Sequence, residues 1–137
     1  MANAKFEVEI YGNTAQFENS LKGVNTAMSA LKSEASGLKG ALKLDPTNTQ
    51  LMAKLQGNFK TQLEQTKNKA SQLKTEIAGI DKSTPDGQKK FLRLSRDLQT
   101  AETRAGYLEQ DIKNLDASIA GGKFKLNLKT DEAENGL

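Results

Sequence analysis

Seven residues, Asp81 to Gly87, are the part of this sequence that most resembles a metal-binding loop. Calcium loops place oxygen-bearing side chains at alternate positions and a glycine where the chain turns sharply. Here Lys82, Thr84 and Pro85 stand at positions that need ligands or adaptable residues. The spacing therefore does not predict a calcium site.

Catalysis needs a proton carrier or a nucleophile, and the sequence offers neither in a suitable setting. It contains no His and no Cys, which removes the commonest general base, the commonest metal ligand and any thiolate. Carboxylate pairs such as Glu109 and Asp111 fall among positions expected to face solvent on a helix. The glycine signatures of nucleotide-binding loops are absent from the sequence. We therefore expect a protein that is not an enzyme, with no catalytic, metal-binding or cofactor-binding residues.

The charge is nearly balanced, with 20 basic and 17 acidic residues among 137 and a net charge of +3. Arg93, Arg96 and Arg104 are the arginines, whereas proteins that read DNA sequence usually carry more arginine, in clusters. The lysines in the middle of the chain either keep a helical surface soluble, the interpretation we favour, or contact a nucleic-acid backbone non-specifically. These lysines are Lys39, Lys43, Lys54, Lys60, Lys67, Lys69 and Lys74.

Neither a secretory signal nor a membrane span is apparent in the sequence. No stretch approaches the roughly 20 apolar residues that cross a bilayer, and the first residues lack a signal-like apolar run. We therefore expect a soluble protein made in the cytoplasm, without membrane contact.

Apolar residues recur in three stretches at steps of three and four, close to the 3.5-residue period of helices that pack along a seam. The first seam is Phe17, Leu21, Val24, Met28, Leu31, Ala35, Leu38 and Leu42. The second is Met52, Leu55, Phe59, Leu63, Thr66, Ala70, Leu73, Ile77 and Ile80. The third is Phe91, Leu94, Leu98, Ala101, Ala105, Leu108, Ile112, Leu115 and Ile119.

These seams predict a mainly α protein with three long amphipathic helices, at about 14–43, 46–79 and 85–119. We expect an antiparallel helical hairpin or a three-helix coiled-coil bundle. Two turns with proline separate the helices. Asp45 before Pro46 and Thr84 before Pro85 are the predicted N-caps, because proline fits the first helical turn.

Some residues in the predicted helices and seams are unfavourable for helix formation or for regular packing. Gly23, Gly37 and Gly40 each cost the first helix about 0.5–1 kcal/mol relative to Ala, so packing must hold it. We interpret these glycines as tolerated rather than as sites of close helix approach. Two successive steps of four shift the second seam at Phe59. Thr66 either fixes the register of the seam or is partly exposed, and we favour partial exposure.

Alternating apolar and polar residues predict a short β-strand near each end of the chain, at about 5–11 and 123–129. In an up-down-up bundle the two strands lie at opposite ends and each offers an edge to another copy or another protein. We expect a strand segment at 1–12, a coiled-coil region at 13–120, and at 121–137 a strand and the start of a further segment of a longer protein. The apolar strand residues are Phe6, Val8 and Ile10, and Phe124, Leu126 and Leu128.

The turn between the first two helices carries a family resemblance. The residues from Leu42 to Leu51, LKLDPTNTQL, resemble a segment near the start of tape measure proteins of long-tailed phages. In that family an opening strand and helix precede this turn and a Gln-, Lys- and Leu-rich helix follows it. The resemblance covers about residues 7–115. The turn is fairly specific, whereas the flanking helices resemble any coiled coil.

The resemblance implies a structural protein without catalytic residues, the N-terminal module of a tape measure protein that organises tail-tube assembly and length determination. It implies as partners other copies of the chain, tail tube proteins and tail assembly chaperones. It also implies a location in the host cytoplasm during assembly and then in the tail lumen. Two alternatives stay open: a basic helical bundle in weak, non-specific contact with DNA, and a generic cytoplasmic coiled-coil adaptor.

Overall fold

Three long helices make up most of the protein. A computed structural model describes residues 2–125 and 128–131, with side chains from residue 15 onward. Helix α1 runs from Ala2–Leu44, α2 from Thr49–Ala78 and α3 from Pro85–Gly121. Helix α2 lies between the other two and packs against both, while α1 and α3 do not approach each other closely within the described residues. The mainly α prediction with three long helices therefore agrees with the structure.

The predicted strands are wrong, because the described residues contain no strand. Residues 5–11, with Phe6, Val8 and Ile10, belong to α1, which begins at Ala2 and not near residue 14. Phe6 and Ile10 are four residues apart, so the short alternating pattern also fits one helical turn. Since the backbone there is helical, these residues present no strand edge.

The described residues between 123 and 129 do not form a strand either. Phe124 and Lys125 are irregular, a further helical turn covers residues 129–131, and Leu126 lies outside the described residues. Phe124 and Leu128 are buried within this chain, at 5% and 2% exposure, and do not form an edge for a partner. A reversal of the chain after α3 brings them back onto the helices.

Asn48, and not the predicted Asp45, is the N-cap of α2. The Asn48 side-chain oxygen accepts a hydrogen bond from the Leu51 N–H at 3.0 Å, and its amide donates to the Asp45 carboxylate at 3.1 Å. The Asp45 N–H still bonds to Ala41 of α1. Asp45 thus closes the last turn of α1, and Pro46 lies in the connecting turn.

The turn between α2 and α3 is closed by a second cap. Thr84 is the N-cap of α3, accepting from the Gly87 N–H at 3.0 Å, and Pro85 follows in the first turn. Hydrogen bonds from the Ser83 hydroxyl and backbone N–H hold the pKa of Asp81 below its usual value. A Cβ on Gly87 would lie 1.7 Å from the Asp81 carbonyl oxygen, so this turn requires glycine.

The seams face the interior, and each of their residues is buried or half-buried. Thr66 is only 3% exposed, so its predicted partial exposure is wrong; its hydroxyl bonds to the Gln62 carbonyl at 2.8 Å. The main core cluster lies at the end of the bundle that holds the α1–α2 turn. It contains Ala35, Leu42, Met52, Leu55, Phe59, Leu108, Leu115, Phe124 and Leu128.

Substitution of the glycines inside α1 by alanine should stabilise the protein. Gly23, Gly37 and Gly40 are exposed, and a Cβ on each meets no atom within 4 Å. We expect each Gly→Ala change to raise the free energy of unfolding by about 0.5–1 kcal/mol, measured by urea denaturation. Gly87→Ala is the control with the opposite sign, because its Cβ cannot fit. A loss of stability at the three α1 sites would contradict their interpretation as tolerated glycines.

Candidate assembly surfaces

A line of hydrogen-bonded polar side chains crosses the bundle and joins all three helices. Gln62 of α2 is 1% exposed; its amide donates to the Asn58 side-chain oxygen at 2.6 Å, and its own oxygen accepts from Arg104 of α3 at 3.1 Å. Asn58 in turn donates to the Leu31 carbonyl at 2.9 Å and the Glu34 carboxylate at 3.1 Å, both on α1. We call Asn58, Gln62 and Arg104 the polar layer.

The polar layer aligns the helices along their length. Apolar seams repeat every seven residues, so two such helices could also pack after sliding by one repeat. Such a slide would separate buried polar groups from their partners, which costs about 1–3 kcal/mol for each group. A second link lies nearer the α1–α2 turn, where the Gln56 amide donates to the Ile112 carbonyl at 2.9 Å and the Asp116 carboxylate at 2.6 Å.

The segment after α3 folds back onto the bundle. Gly122 adopts a left-handed conformation with φ 73°, and the Lys123 N–H bonds to the Ser118 carbonyl at 3.2 Å, which together end the helix and reverse the chain. The Phe124 N–H then bonds to the Pro46 carbonyl of the α1–α2 turn at 2.6 Å. We call residues 123–131, described at 123–125 and 128–131, the strap.

Asp111 holds the far end of the strap. Its carboxylate accepts from the Lys129 N–H at 2.6 Å, the Thr130 N–H at 3.1 Å and the Thr130 hydroxyl at 2.8 Å. The two N–H groups open a helical turn, where a carboxylate is favourable. On the other side of the strap, Asp131 pairs with Lys39 of α1. The strap therefore bridges α1 and α3, which do not otherwise pack closely in the part of the chain that the structure describes.

The position of Asp111 corrects a sequence-based expectation. We expected a solvent-facing side chain, but Asp111 is 0% exposed. It lies three residues after Leu108 and four before Leu115, so it shares their buried face. This spacing in the sequence indicates that Asp111 is buried. A carboxylate on a buried helix face needs hydrogen-bond donors around it. Glu109, its neighbour, is exposed and lies 3.7 Å from Lys67.

The other end of the bundle has an open cleft of about 830 Å³ between the same three helices. Phe17 of α1, Ile80 after α2 and Lys90 of α3 are among its lining residues. Lys90 pairs with Glu76 at 2.7 Å. The side-chain oxygen of Gln72, also in the lining, has no hydrogen-bond partner among the described residues. At this end no segment plays the part of the strap within the described part of the chain.

The lysines in the middle of the chain are partly engaged within the protein. Lys39 pairs with Asp131, Lys67 lies near Glu109, and the Lys69 ammonium donates to the Asn25 side-chain oxygen at 3.0 Å. These contacts occupy three of the seven lysines that we considered for nucleic-acid contact. In the described part of the chain, no cluster of three or more acidic residues could hold a metal ion. The helices described there also lack an apolar stretch that would span a lipid bilayer.

Comparison with known proteins finds relatives among phage proteins. The chain is 58% identical, over 130 residues or 95% of its length, to a probable tape measure protein of Lactococcus phage SK1. It is a homologue of phage tape measure proteins. It is also 72% identical over 57 residues to the tape measure protein of Lactococcus phage F4-1, and 73% identical over 52 residues to a probable tape measure protein of Lactococcus phage p2. The resemblance inferred from the LKLDP turn is confirmed.

Each match covers only a small part of the relative's own length. The aligned part of this homologue spans 13% of the phage SK1 protein, 16% of the phage F4-1 protein and 5% of the phage p2 protein. On this chain, the matches to phages F4-1 and p2 cover 42% and 38% of the length. No protein-family model and no solved structure matches the chain.

Replacement of Gln62 by leucine should test the polar layer. Gln62→Leu removes the donor to Asn58 and the acceptor for Arg104, so we expect a loss of about 1–3 kcal/mol in the free energy of unfolding. The measurement is urea denaturation followed by circular dichroism. Gln110→Leu, at an exposed position of α3, is the matched control and should change stability by less than about 0.5 kcal/mol. Equal effects of the two changes would contradict a structural role for the polar layer.

Replacement of Asp111 by asparagine should loosen the strap and leave the packing of the three helices intact. In Asp111→Asn the side chain would keep one acceptor oxygen for three donors, so its amide N–H would oppose a donor of the strap. We expect hydrogen exchange at the Lys129 and Thr130 amides to become faster by at least about tenfold, with the central amides of α2 unchanged. Asp97→Asn, at an exposed position of α3, is the control. Unchanged protection of the strap would show that Asp111 does not hold it.

Proposed function

We propose that this chain is a folded module of a tape-measure-type protein and serves in the phage tail as a structural component, without catalysis. The single observation that carries the proposal is the 58% identity over 95% of the chain to the phage SK1 protein. A structural role also suits the architecture, since the buried polar groups of the polar layer and of Asp111 join helices to one another and to the strap.

The folded state argues for a module at one end of the tail ruler. A continuous helix of 137 residues would span about 205 Å, whereas the longest helix here, α1 with 43 residues, spans about 65 Å. A segment that folds back on itself adds little length per residue. We therefore assign it to the N-terminal head of the ruler, with a role in docking or in the start of tail assembly.

We further propose that this module associates with other copies of itself and with tail tube and tail assembly chaperone proteins. Its place is then the host cytoplasm during assembly and the tail lumen in the virion. Helical seams support self-association in principle, although within this chain they are covered by the neighbouring helices. Contacts between copies would therefore draw mainly on surfaces outside the buried parts of the seams, and the open cleft is one such surface.

An exchange of segments between phages tests the proposal. In Lactococcus phage SK1, the homologous segment of the tape measure gene is replaced by residues 1–137 of this chain. We expect infectious particles whose tails have the parental length by electron microscopy, because 58% identity should preserve the fold and its contacts.

Two further phage variants serve as controls for that experiment. Deletion of the segment should abolish tails if it is a head module, and a graft carrying Gln62→Leu should reduce particle yield. If the deletion instead gives viable phage with tails shortened by about 1.5 Å per residue removed, the segment is part of the ruler and the head assignment is wrong.

A further inference from the structure

The outer face of α3 near its N-terminus carries cations around an exposed apolar side chain. Lys89, Leu92, Arg93 and Arg96 follow the spacing i, i+3, i+4 and i+7, which places them on one side of the helix, and each is exposed. Leu92 is 63% exposed and lies among the three cations. Two of the three arginines of the chain therefore flank an exposed leucine. We call these four residues the basic face.

The cations of the basic face are not neutralised within the described residues. Their side chains make no ion pair and no hydrogen bond there. Lys90, which points to the other side of α3, pairs with Glu76 at 2.7 Å. Asp86 and Asp97 flank the basic face in the sequence, but neither carboxylate forms an ion pair in the described part of the chain. The basic face therefore presents positive charge that is available to a partner.

The lysines of α2 do not form a comparable surface, because α3 supplies carboxylates opposite them. Lys67 lies 3.7 Å from Glu109. In an antiparallel pair of helices, the same register one seven-residue repeat away places Lys60 opposite Asp116. The side of α3 that packs inward near the basic face carries Leu94, which is 2% exposed. The basic face thus points away from the helices that could supply matching carboxylates.

The basic face is held in place before any partner binds. Thr84 caps α3 by accepting a hydrogen bond from the Gly87 N–H at 3.0 Å, and Leu94 anchors the helix in the interior. Docking onto a fixed helix face costs less conformational entropy than docking onto a flexible segment.

The residue types of the basic face favour a protein partner over a nucleic acid. Arginine forms paired hydrogen bonds with carboxylates and is enriched at protein interfaces. A phosphate backbone would neutralise the cations but would leave Leu92 in water. A protein with carboxylates around an apolar pocket would pair with the cations and bury Leu92 as well.

We propose that the basic face is a docking site for another protein, one whose Asp and Glu residues surround an apolar pocket that receives Leu92. Arg93 and Arg96 pair with the carboxylates at the edge of that pocket. This proposal names a surface for the partner contacts proposed above and rests on them.

The phage SK1 graft described above allows a test in the assembled tail. One graft carries Arg93→Glu with Arg96→Glu, called the arginine pair. The matched control carries Lys54→Glu with Lys113→Glu, at exposed positions of α2 and α3, and changes the net charge by the same amount. We expect the yield of infectious particles to fall by about 30-fold or more for the arginine pair, because central interface residues carry most of the binding energy. The control should stay within about threefold of the unmodified graft.

A third graft, with Leu92→Ser, distinguishes the kinds of partner. It keeps every charge of the basic face, so it should lower the yield only if Leu92 is buried by the partner. Full yield with Leu92→Ser, together with a loss for the arginine pair, would overturn the proposed pocket. Binding of the purified chain to double-stranded DNA at about 50 mM salt, lost in the arginine pair, would then assign the face to nucleic acid.

Urea denaturation of the purified variants checks that they fold. The changed side chains are exposed, so the midpoints should match that of the parent chain. If the arginine pair lowers the midpoint, Arg93→Gln with Arg96→Gln replaces it, because this change removes the positive charges without adding negative ones.

Second-site revertants of the arginine pair identify the partner. We expect changes of Asp or Glu to Lys in a different phage protein, because these restore opposite charges across the contact. Revertants confined to this chain would contradict docking and indicate a role within the fold.

The outcomes also separate this proposal from the proposed function. If the unmodified graft is infectious and the arginine pair grows equally well, the basic face is not a docking site, whereas the tail role stands. If the unmodified graft gives no particles, the tail role fails and the docking proposal fails with it.

Discussion

The structure depends on one constraint, which is that α2 packs against two neighbouring helices at once. Among the described residues, α1 and α3 flank it without packing closely on each other, so α2 buries residues on both sides, including the polar Asn58 and Gln62. Apolar seams alone would hold such an arrangement in several registers one heptad apart. The hydrogen bonds from Arg104 through Gln62 and Asn58 to Leu31 have partners in only one of them. In this register the strap contacts both Asp111 of α3 and Lys39 of α1.

One feature of the sequence indicates that α2 packs against both α1 and α3. Steps of four at Leu55, Phe59 and Leu63 shift the second seam, and Asn58 and Gln62 lie beside that shift. A seam that shifts widens the buried face of its helix, which is what a central helix needs. The periodicity could therefore predict three helices and their seams. It could not predict the polar layer, because Asn and Gln are also common at exposed helix positions and their partners on α1 and α3 lie 24 to 42 residues away.

The predicted terminal strands are wrong for a physical reason. Apolar residues four apart satisfy a two-residue and a 3.6-residue period alike, so seven residues do not discriminate strand from helix. At 5–11 the helix simply continues. At Phe124 and Leu128 the choice is made by tertiary contacts, since the Pro46 carbonyl and the Asp111 carboxylate take the backbone N–H groups that a strand would have offered to a neighbour. Tertiary and local contacts also decide the cap of α2. The Asp45 N–H is bonded to Ala41 in the last turn of α1, and Asn48 caps α2 instead.

Asp111 makes the stability of the fold depend on the strap. A buried carboxylate is costly unless donors surround it, and here the three donors all come from the strap. When the strap leaves, water must take its place in the groove. Water restores the hydration of Asp111 but leaves the apolar contacts of Phe124 and Leu128 unmade. The bound strap is therefore favoured over solvent, and the left-handed conformation of Gly122 turns the chain toward the groove.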